Sequence, residues 1–374
     1  MKTLYIISKG LGKKSDKEIL ELERQNRMPR VTKLEREINA ELLEENFLAE
    51  KTPPIRRFFY RWLPVYICQI IEALIIHRRY DVILSHSQRV GFPLAYLMKI
   101  LRIKTPHVLI ISRITSVDPS QSARKIWFMK KIKNSVSKFL IWSIAQHNLA
   151  IERLGVDPSK ILRVRLGTDQ KFWKLQADPP ETDTICAVGM EARDYPTLIE
   201  ALRPLDIPCH IAAGSTRGEL FDTVKKLYEV KDVPKHITVG KKTHEELRNL
   251  YARTRFAVVP LIESDSDNGQ TTILEAMSMS KPVICSKTEG QVGIIKDGVN
   301  GIFVPQGDPI ALRNAIQELW ADPQKCEEMG RKGREFIENY HSLEQFVEAV
   351  SREVRNAASP ALVQDDLQLT HIKT

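Results

Sequence analysis

The chain has 374 residues, 43% of them hydrophobic, with 56 lysines and arginines against 47 aspartates and glutamates and a formal charge of +9. That length suits two domains with their own cores, and the modest basic excess suits a nucleotide, an anionic membrane face or a nucleic acid; no RNA-recognition, zinc-finger or helix-turn-helix signature favours the last. Cys68, Cys186, Cys209, Cys285 and Cys326 show no CxxC spacing and read as reduced core residues of a cytoplasmic protein, which argues against a disulfide frame or a metal site.

The first apolar run is too short for a signal peptide and reads as a strand, Thr3–Ser8, leading into Lys9-Gly10-Leu11-Gly12-Lys13-Lys14. Such a loop is as readily an ordinary strand end as a phosphate cradle. Residues 16–51 are charged and helix-prone, with Leu20, Leu22 and Leu34 as sparse apolar positions. Pro53-Pro54 then breaks the chain before Ile55–Arg79, where Arg56, Arg57 and Arg61 mix with Phe58, Phe59, Tyr60 and Trp62. One reading is a basic aromatic surface for an anionic membrane or a lipid-linked acceptor; the other, favoured by the following YICQIIEALII, is a core helix with basic residues at its start. Pro64, Gln69 and Glu72 interrupt the longest apolar stretch, Trp62–Ile76, and argue against a spanning helix.

Tyr80–His86 is the next strand, and His86 falls at its carboxyl tip, a ligand-facing place in a Rossmann-like unit, although a lone histidine is more often structural. Pro106–Ser112 is another strand. In Ser120–Lys138 a stripe of Phe128, Met129, Ile132 and Val136 runs beside a cationic face, a pattern that suits interfacial membrane contact or, more commonly, burial. Strands at Phe139–Trp142 and Ile161–Arg165 follow, and Leu175–Asp183 is polar and proline-bearing, the expected linker. Thr184–Val188 opens a second domain and ends at Gly189; Arg193 shortly after has a fork that suits phosphate, or is a surface residue at a helix start. Cys209–Ala213 leads into Gly214–Gly218, which carries Arg217.

The stretch with most chemistry is Arg255–Pro305. Strand Phe256–Leu261 runs into a loop with Glu263, Asp265 and Asp267, then Asn268-Gly269-Gln270. Thr271 or Thr272 is the expected N-cap of a helix over Ile273–Ser280, before the strand Pro282–Cys285. This order sets Asp267 and Glu275, with seven residues between them, near one helix N-terminus at the carboxyl edge of a parallel sheet, where open α/β sheets bind ligands. Free N–H groups around Gln270–Ile273 suit a phosphate, and Glu275 one turn in suits vicinal hydroxyls such as a ribose pair. Both occur in a sugar nucleotide. The alternative is a loop carboxylate and a residue that merely compensates the helix dipole. Asp308-Pro309 caps a later helix, two more follow at Gln324–Tyr340 and Leu343–Arg355, and residues 358–374 show no period.

The run DNGQTTILEAMSMSKPVI, followed by DGVNGIFVPQGD, resembles the C-terminal signature of retaining group 1 glycosyltransferases. Glu275, Ala276, Met277 and Lys281-Pro282-Val283 match it; Asp267 stands where the family shows Glu, and Met190 where it shows Arg. DVILSHS and the segment through Leu166-Gly167-Thr168-Asp169 resemble first-domain motifs, the latter structural. The resemblance implies an α/β, GT-B fold: two Rossmann-like parallel-sheet domains with an interdomain cleft, over residues 1–174 and 184–340, with a linker at 175–183, a helix crossing back at 341–357 and a tail at 358–374. It implies metal-independent, retaining transfer from a nucleoside-diphosphate sugar, with no cofactor, to a glycan or lipid-linked acceptor; the cysteines add a cytoplasmic setting, and the basic aromatic stretch adds an anionic membrane surface as a candidate partner. By resemblance Asp267 lies near the donor sugar, with His86 as a second catalytic candidate, and Glu275 holds the ribose. Arg193, Arg217, Gly12, Gly269, Gln270, Thr271 and Thr272 then surround the donor diphosphate. The departures at Asp267 and Met190 leave room for rivals: an epimerase or hydrolase acting on sugar nucleotides, or a catalytically idle scaffold.

Overall fold

The structure, a computed structural model, describes residues 1–7, 14–86, 88–114, 119–175, 183–213, 227–263, 268–290 and 293–359. Two compact units emerge. The first takes the chain's start, Thr32–Val164 and the segment from Phe346; the second takes Lys14–Val31 and Arg165–Gln345.

The first unit holds six parallel strands, β1 (Thr3–Ile6), β2 (Ala40–Leu43), β3 (Val82–Ser85), β4 (His107–Ile111), β5 (Lys138–Ile141) and β6 (Ile161–Arg163), in the order β2-β1-β3-β4-β5-β6. β1, β3 and β4 are buried from end to end, because helices cover both faces of a parallel sheet. Through this half of the chain run α1 (Asp16–Arg24), α2 (Lys33–Glu37), α3 (Glu45–Glu50), α4 (Pro54–Tyr60), α5 (Val65–Ile76), α6 (Gln88–Ile100), α7 (Pro119–Ile132) and α8 (Ile144–Asn148).

Two expectations change here and a third is decided. The charged stretch 16–51 is not all helix: β2 lies within it, because pairing Tyr5 with Leu42 and Ile6 with Leu43 buries Leu43 at the sheet edge, and that tertiary gain outweighs local propensity. Ile55–Arg79 is not one core helix. Pro64 divides it, so that α5 buries Cys68, Ile70, Ala73 and Ile76 while α4 lies on the surface. In and just after α7 the stripe takes the commoner of its two readings, burial: Met129, Ile132 and Val136 are enclosed, packed with Ile111 and Phe139.

The second unit repeats the design with β7 (Thr184–Val188), β8 (Cys209–Ala212), β9 (Ile237–Val239), β10 (Thr254–Val259), β11 (Val283–Ser286) and β12 (Gly301–Val304), all parallel, ordered β12-β11-β10-β7-β8-β9. Its helices are α9 (Tyr195–Leu202), α10 (His244–Arg253), α11 (Gln270–Ser278), α12 (Pro309–Ala321) and α13 (Pro323–Tyr340); α14 (Leu343–Ala358) starts in this unit and from Phe346 belongs to the first. Alternate residues of β10 feed two cores, Phe256 and Val258 one, Ala257 and Val259 the other. α13 lies against α11 through two glycines. A Cβ on Gly330 would sit 1.9 Å from the Ser280 carbonyl oxygen, and one on Gly333 would sit 3.2 Å from Met277 Cγ.

The division of the chain differs from breaks near 174 and 341. Residues 14–31 join the second unit because Arg30 is bonded there: its guanidinium reaches the Asp169 carboxylate at 2.5–3.1 Å and Glu344 at 2.9 Å. Residues 165–174 join it because Trp173 packs edge-on to Tyr251 and its carbonyl accepts from Arg334. Among the described residues no helix is long and apolar enough to cross a membrane.

Candidate active site

In the second sheet the strand order reverses between β7 and β10, which are neighbours although far apart in sequence. The loops leaving their carboxyl ends therefore diverge to opposite sides, and the gap between them is where open α/β sheets take ligands. One loop carries Gly189 and Arg193; the other carries Asn268 and Gly269 and opens α11. An isolated bridge between Arg193 and Leu261 ties the two.

α11 begins earlier than the threonines suggest. Gly269 is the N-cap, at a φ of 83° that favours glycine, and having no side chain it offers no cap of its own to the first N–H groups of the helix, those of Gln270, Thr271 and Thr272. Thr271 is exposed. Thr272 is buried, and its hydroxyl donates to the Val188 carbonyl at 3.2 Å.

Arg193 is 4% exposed, so it is not the surface arginine that its sequence context allowed. Its Nε donates to the Val188 carbonyl at 2.9 Å, Nη1 to the Glu191 carbonyl at 2.8 Å and Nη2 to Thr272 Oγ1 at 3.0 Å. These acceptors are neutral, so a full positive charge stays beneath the start of α11. Room for it depends on Gly189, at φ 112°, where a Cβ would lie 2.3 Å from Arg193 Nη2. Met190, in the place of the family's arginine, packs on the core instead.

Glu275 follows one turn into α11, largely buried, and accepts from the Tyr251 hydroxyl at 3.2 Å. Burial pushes its carboxyl up to about 8, against the opposing pull of the Tyr251 hydrogen bond and the Arg193 charge. The same burial, with Glu275 beside it, raises Tyr251 well above the usual phenol range. Tyr251 has no signal in the sequence: it sits near the end of the largely charged α10, 24 residues from its partner.

In the first unit His86 closes β3 at the equivalent reversal, beside β1, with its N–H donating to the Ile6 carbonyl at 2.9 Å. Its ring is exposed, hydrogen-bonded through Nδ1 to the Tyr5 hydroxyl at 2.9 Å and set edge-on to Trp142. Thus Arg193, Gly269 and Thr272 come together, Glu275 lies one turn along the same helix, and His86 belongs to the other unit. Asp267, Arg217 and Gly12 lie outside the described residues. Among the described residues no group of three or more His, Cys, Asp or Glu could hold a metal ion. A cavity of about 550 Å³ in the first unit, lined by Lys99, Lys104, His107, Lys138 and Glu353, lies at the amino ends of β4 and β5, the edge opposite to His86.

Residues 183–336 match the family described as glycosyl transferases group 1. An uncharacterized glycosyltransferase of Methanocaldococcus jannaschii is 23% identical over 299 residues, 79% of this chain and 81% of its own. A D-inositol 3-phosphate glycosyltransferase of Paenarthrobacter aurescens is 22% identical over 307 residues, 74% of each chain. Among solved structures, sucrose-phosphate synthase from Thermosynechococcus elongatus superposes with a TM-score of 0.72 at 17% identity, covering 96% of this chain and all of that one. Anabaena HepE in complex with UDP and glucose gives 0.69 at 16% identity over 94% and 98% of the two chains. With two six-stranded parallel sheets of the GT-B kind and the family match confined to residues 183–336, which hold Arg193 and Glu275, the second unit of the chain is similar to the group 1 glycosyltransferases.

Proposed function

We propose that the chain transfers a sugar from a nucleoside-diphosphate sugar to a hydroxyl of a glycan or lipid-linked acceptor, with retention at the anomeric carbon and with no cofactor or metal ion. The observation that carries this reading is the pairing, at one strand-order reversal, of a helix start capped by a glycine with a largely buried carboxyl one turn further in. The N–H groups of Gln270–Thr272 and the positive end of the α11 dipole favour a diphosphate, and the Arg193 charge beneath them adds to that field. Glu275 takes the ribose hydroxyls. Neighbouring folds captured with UDP and with UDP-glucose support UDP as the nucleotide.

In the reaction the bond from the anomeric carbon to the diphosphate breaks, and its electron pair passes to the departing oxygen. Donors fixed beforehand around that oxygen stabilise the charge as it develops, with no reorganisation at the moment of transfer. The acceptor oxygen bonds the same carbon from the face the diphosphate leaves, and its proton passes to the diphosphate. By their places in the family pattern Asp267 is assigned to the donor sugar and His86, as a second catalytic candidate, to the acceptor side, with Arg217 and Gly12 assigned to the diphosphate.

Calorimetric titration with UDP in the presence of EDTA tests the reading. The wild type should bind, and Glu275→Ala should weaken binding about tenfold, the scale of a lost hydrogen bond. Equal affinity in the two proteins overturns the assignment of Glu275. An inverted anomer in the product overturns retention, and transfer abolished by EDTA and restored by a divalent cation overturns metal independence.

A further inference from the structure

α4 and the turn after it are built with their polar side inward. Ile55, Phe58, Phe59 and Trp62 recur at i, i+3, i+4 and i+7, the spacing of a stripe that ordinarily faces a core. Here they face water, 76%, 55%, 61% and 79% exposed, with Leu63 and Val65 beside them at 38% and 37%. The opposite face carries the polar anchors. Arg56 donates from Nε and Nη2 to the Glu72 carboxylate at 3.0 and 2.9 Å, and the Tyr60 hydroxyl donates to the same carboxylate at 2.9 Å. The Glu72 side chain is 1% exposed. Rolling the helix to hide its aromatics would strip a buried carboxylate of its partners, so the outward aim is held in place. Arg57 fixes the start of the helix by donating to the Thr52 carbonyl at 2.9 Å.

Charge says what covers the stripe. From Lys51 to Tyr80 there are six lysines and arginines against one carboxylate, Glu72, which Arg56 already neutralises. A second copy of the chain packed symmetrically on this face would bring Arg57 and Arg61 toward their own counterparts. An anionic surface meets no such repulsion. We propose that this face docks on an anionic lipid bilayer, with Phe58, Phe59 and Trp62 seated at the headgroup boundary and Arg57 and Arg61 on the lipid phosphates. The proposal does not depend on the donor reading, and its test does not touch the nucleotide.

The full chain is floated with phosphatidylcholine vesicles, plain or carrying about a third phosphatidylglycerol, an anionic fraction sufficient to attract basic segments. It should rise with the anionic vesicles and stay behind with the plain ones, and more salt should weaken binding by screening. Phe58→Ser with Trp62→Ser should lower partitioning about tenfold or more, since each aromatic contributes apolar area. Arg57→Gln with Arg61→Gln should lower it through charge alone, and the Trp62 emission, taken as the difference from Trp62→Phe, should move to the blue on binding. Thermal midpoints of the variants should stay near the wild type because the side chains point outward. No rise with anionic vesicles, binding that survives both double variants, or a dimer in sedimentation that Trp62→Ser dissolves would each overturn the proposal.

Discussion

Glu275 carries a cost that depends on pH. Its carboxyl titrates near 8 in the folded chain against 4.5 in the open one, because burial disfavours its charge. Between those values the folded state holds a proton that the unfolded state has released, so this residue's contribution to stability falls as pH rises and is fully lost above 8. Glu275→Gln should match the wild type near pH 5 and exceed it in stability by about 2–4 kcal/mol at pH 8.5, as denaturant midpoints across that range would report. A gap of constant size would place the carboxyl in water. The residue itself was legible from its spacing after Asp267 and its position within a helix. Its environment was not, because Tyr251 and Arg193 reach it from other elements. Arg193 was legible as a cation near a glycine turn, but its burial follows from Gly189 leaving a space that only coordinates reveal.

Elements were readable where one force dominated. β3, β4, β7 and β10 are apolar runs that need both faces covered, and each appeared near its expected place. β2 did not, since Ala40–Leu43 has the composition of a helix and becomes a strand only because β1 offers an open edge. The start of α11 was misplaced toward the threonines, since capping preference favours their hydroxyls while the left-handed turn at Gly269 decides the register. The packing of α13 on α11 gives an element-scale prediction. Gly330→Ala raises helix propensity by about 1 kcal/mol yet forces a methyl group into the Ser280 carbonyl. The net effect should be a loss of about 2 kcal/mol, whereas Arg331→Ala on the solvent side of the same helix should stay within about 0.5 kcal/mol. Chemical denaturation of the two variants measures both.

At the scale of the molecule, two parallel-sheet units followed from length and from the alternation of strands with helices, but their boundaries did not, because side-chain ties far apart in sequence set them. Arg30 is the main one. Burial alone would raise the Asp169 carboxyl, yet the Arg30 hydrogen bonds bring it below the usual range, and removing Arg30 would leave a buried charge unpaired. A protease site placed between Leu175 and Asp183 should therefore give two fragments that still elute together from a sizing column, held by residues 14–31 in the second unit and by α14 in the first. Fragments that separate on cleavage would show these ties to be weak. The order of synthesis carries a further consequence. Neither unit is one continuous length of chain, so a polypeptide leaving the ribosome cannot complete the second until residue 345 has emerged, nor the first until the segment after it has followed. Folding one domain at a time from the N-terminus is closed to this chain, and the first unit must wait, unfinished and with apolar surface showing, until the whole of the second has been made and the segment from Phe346 has followed.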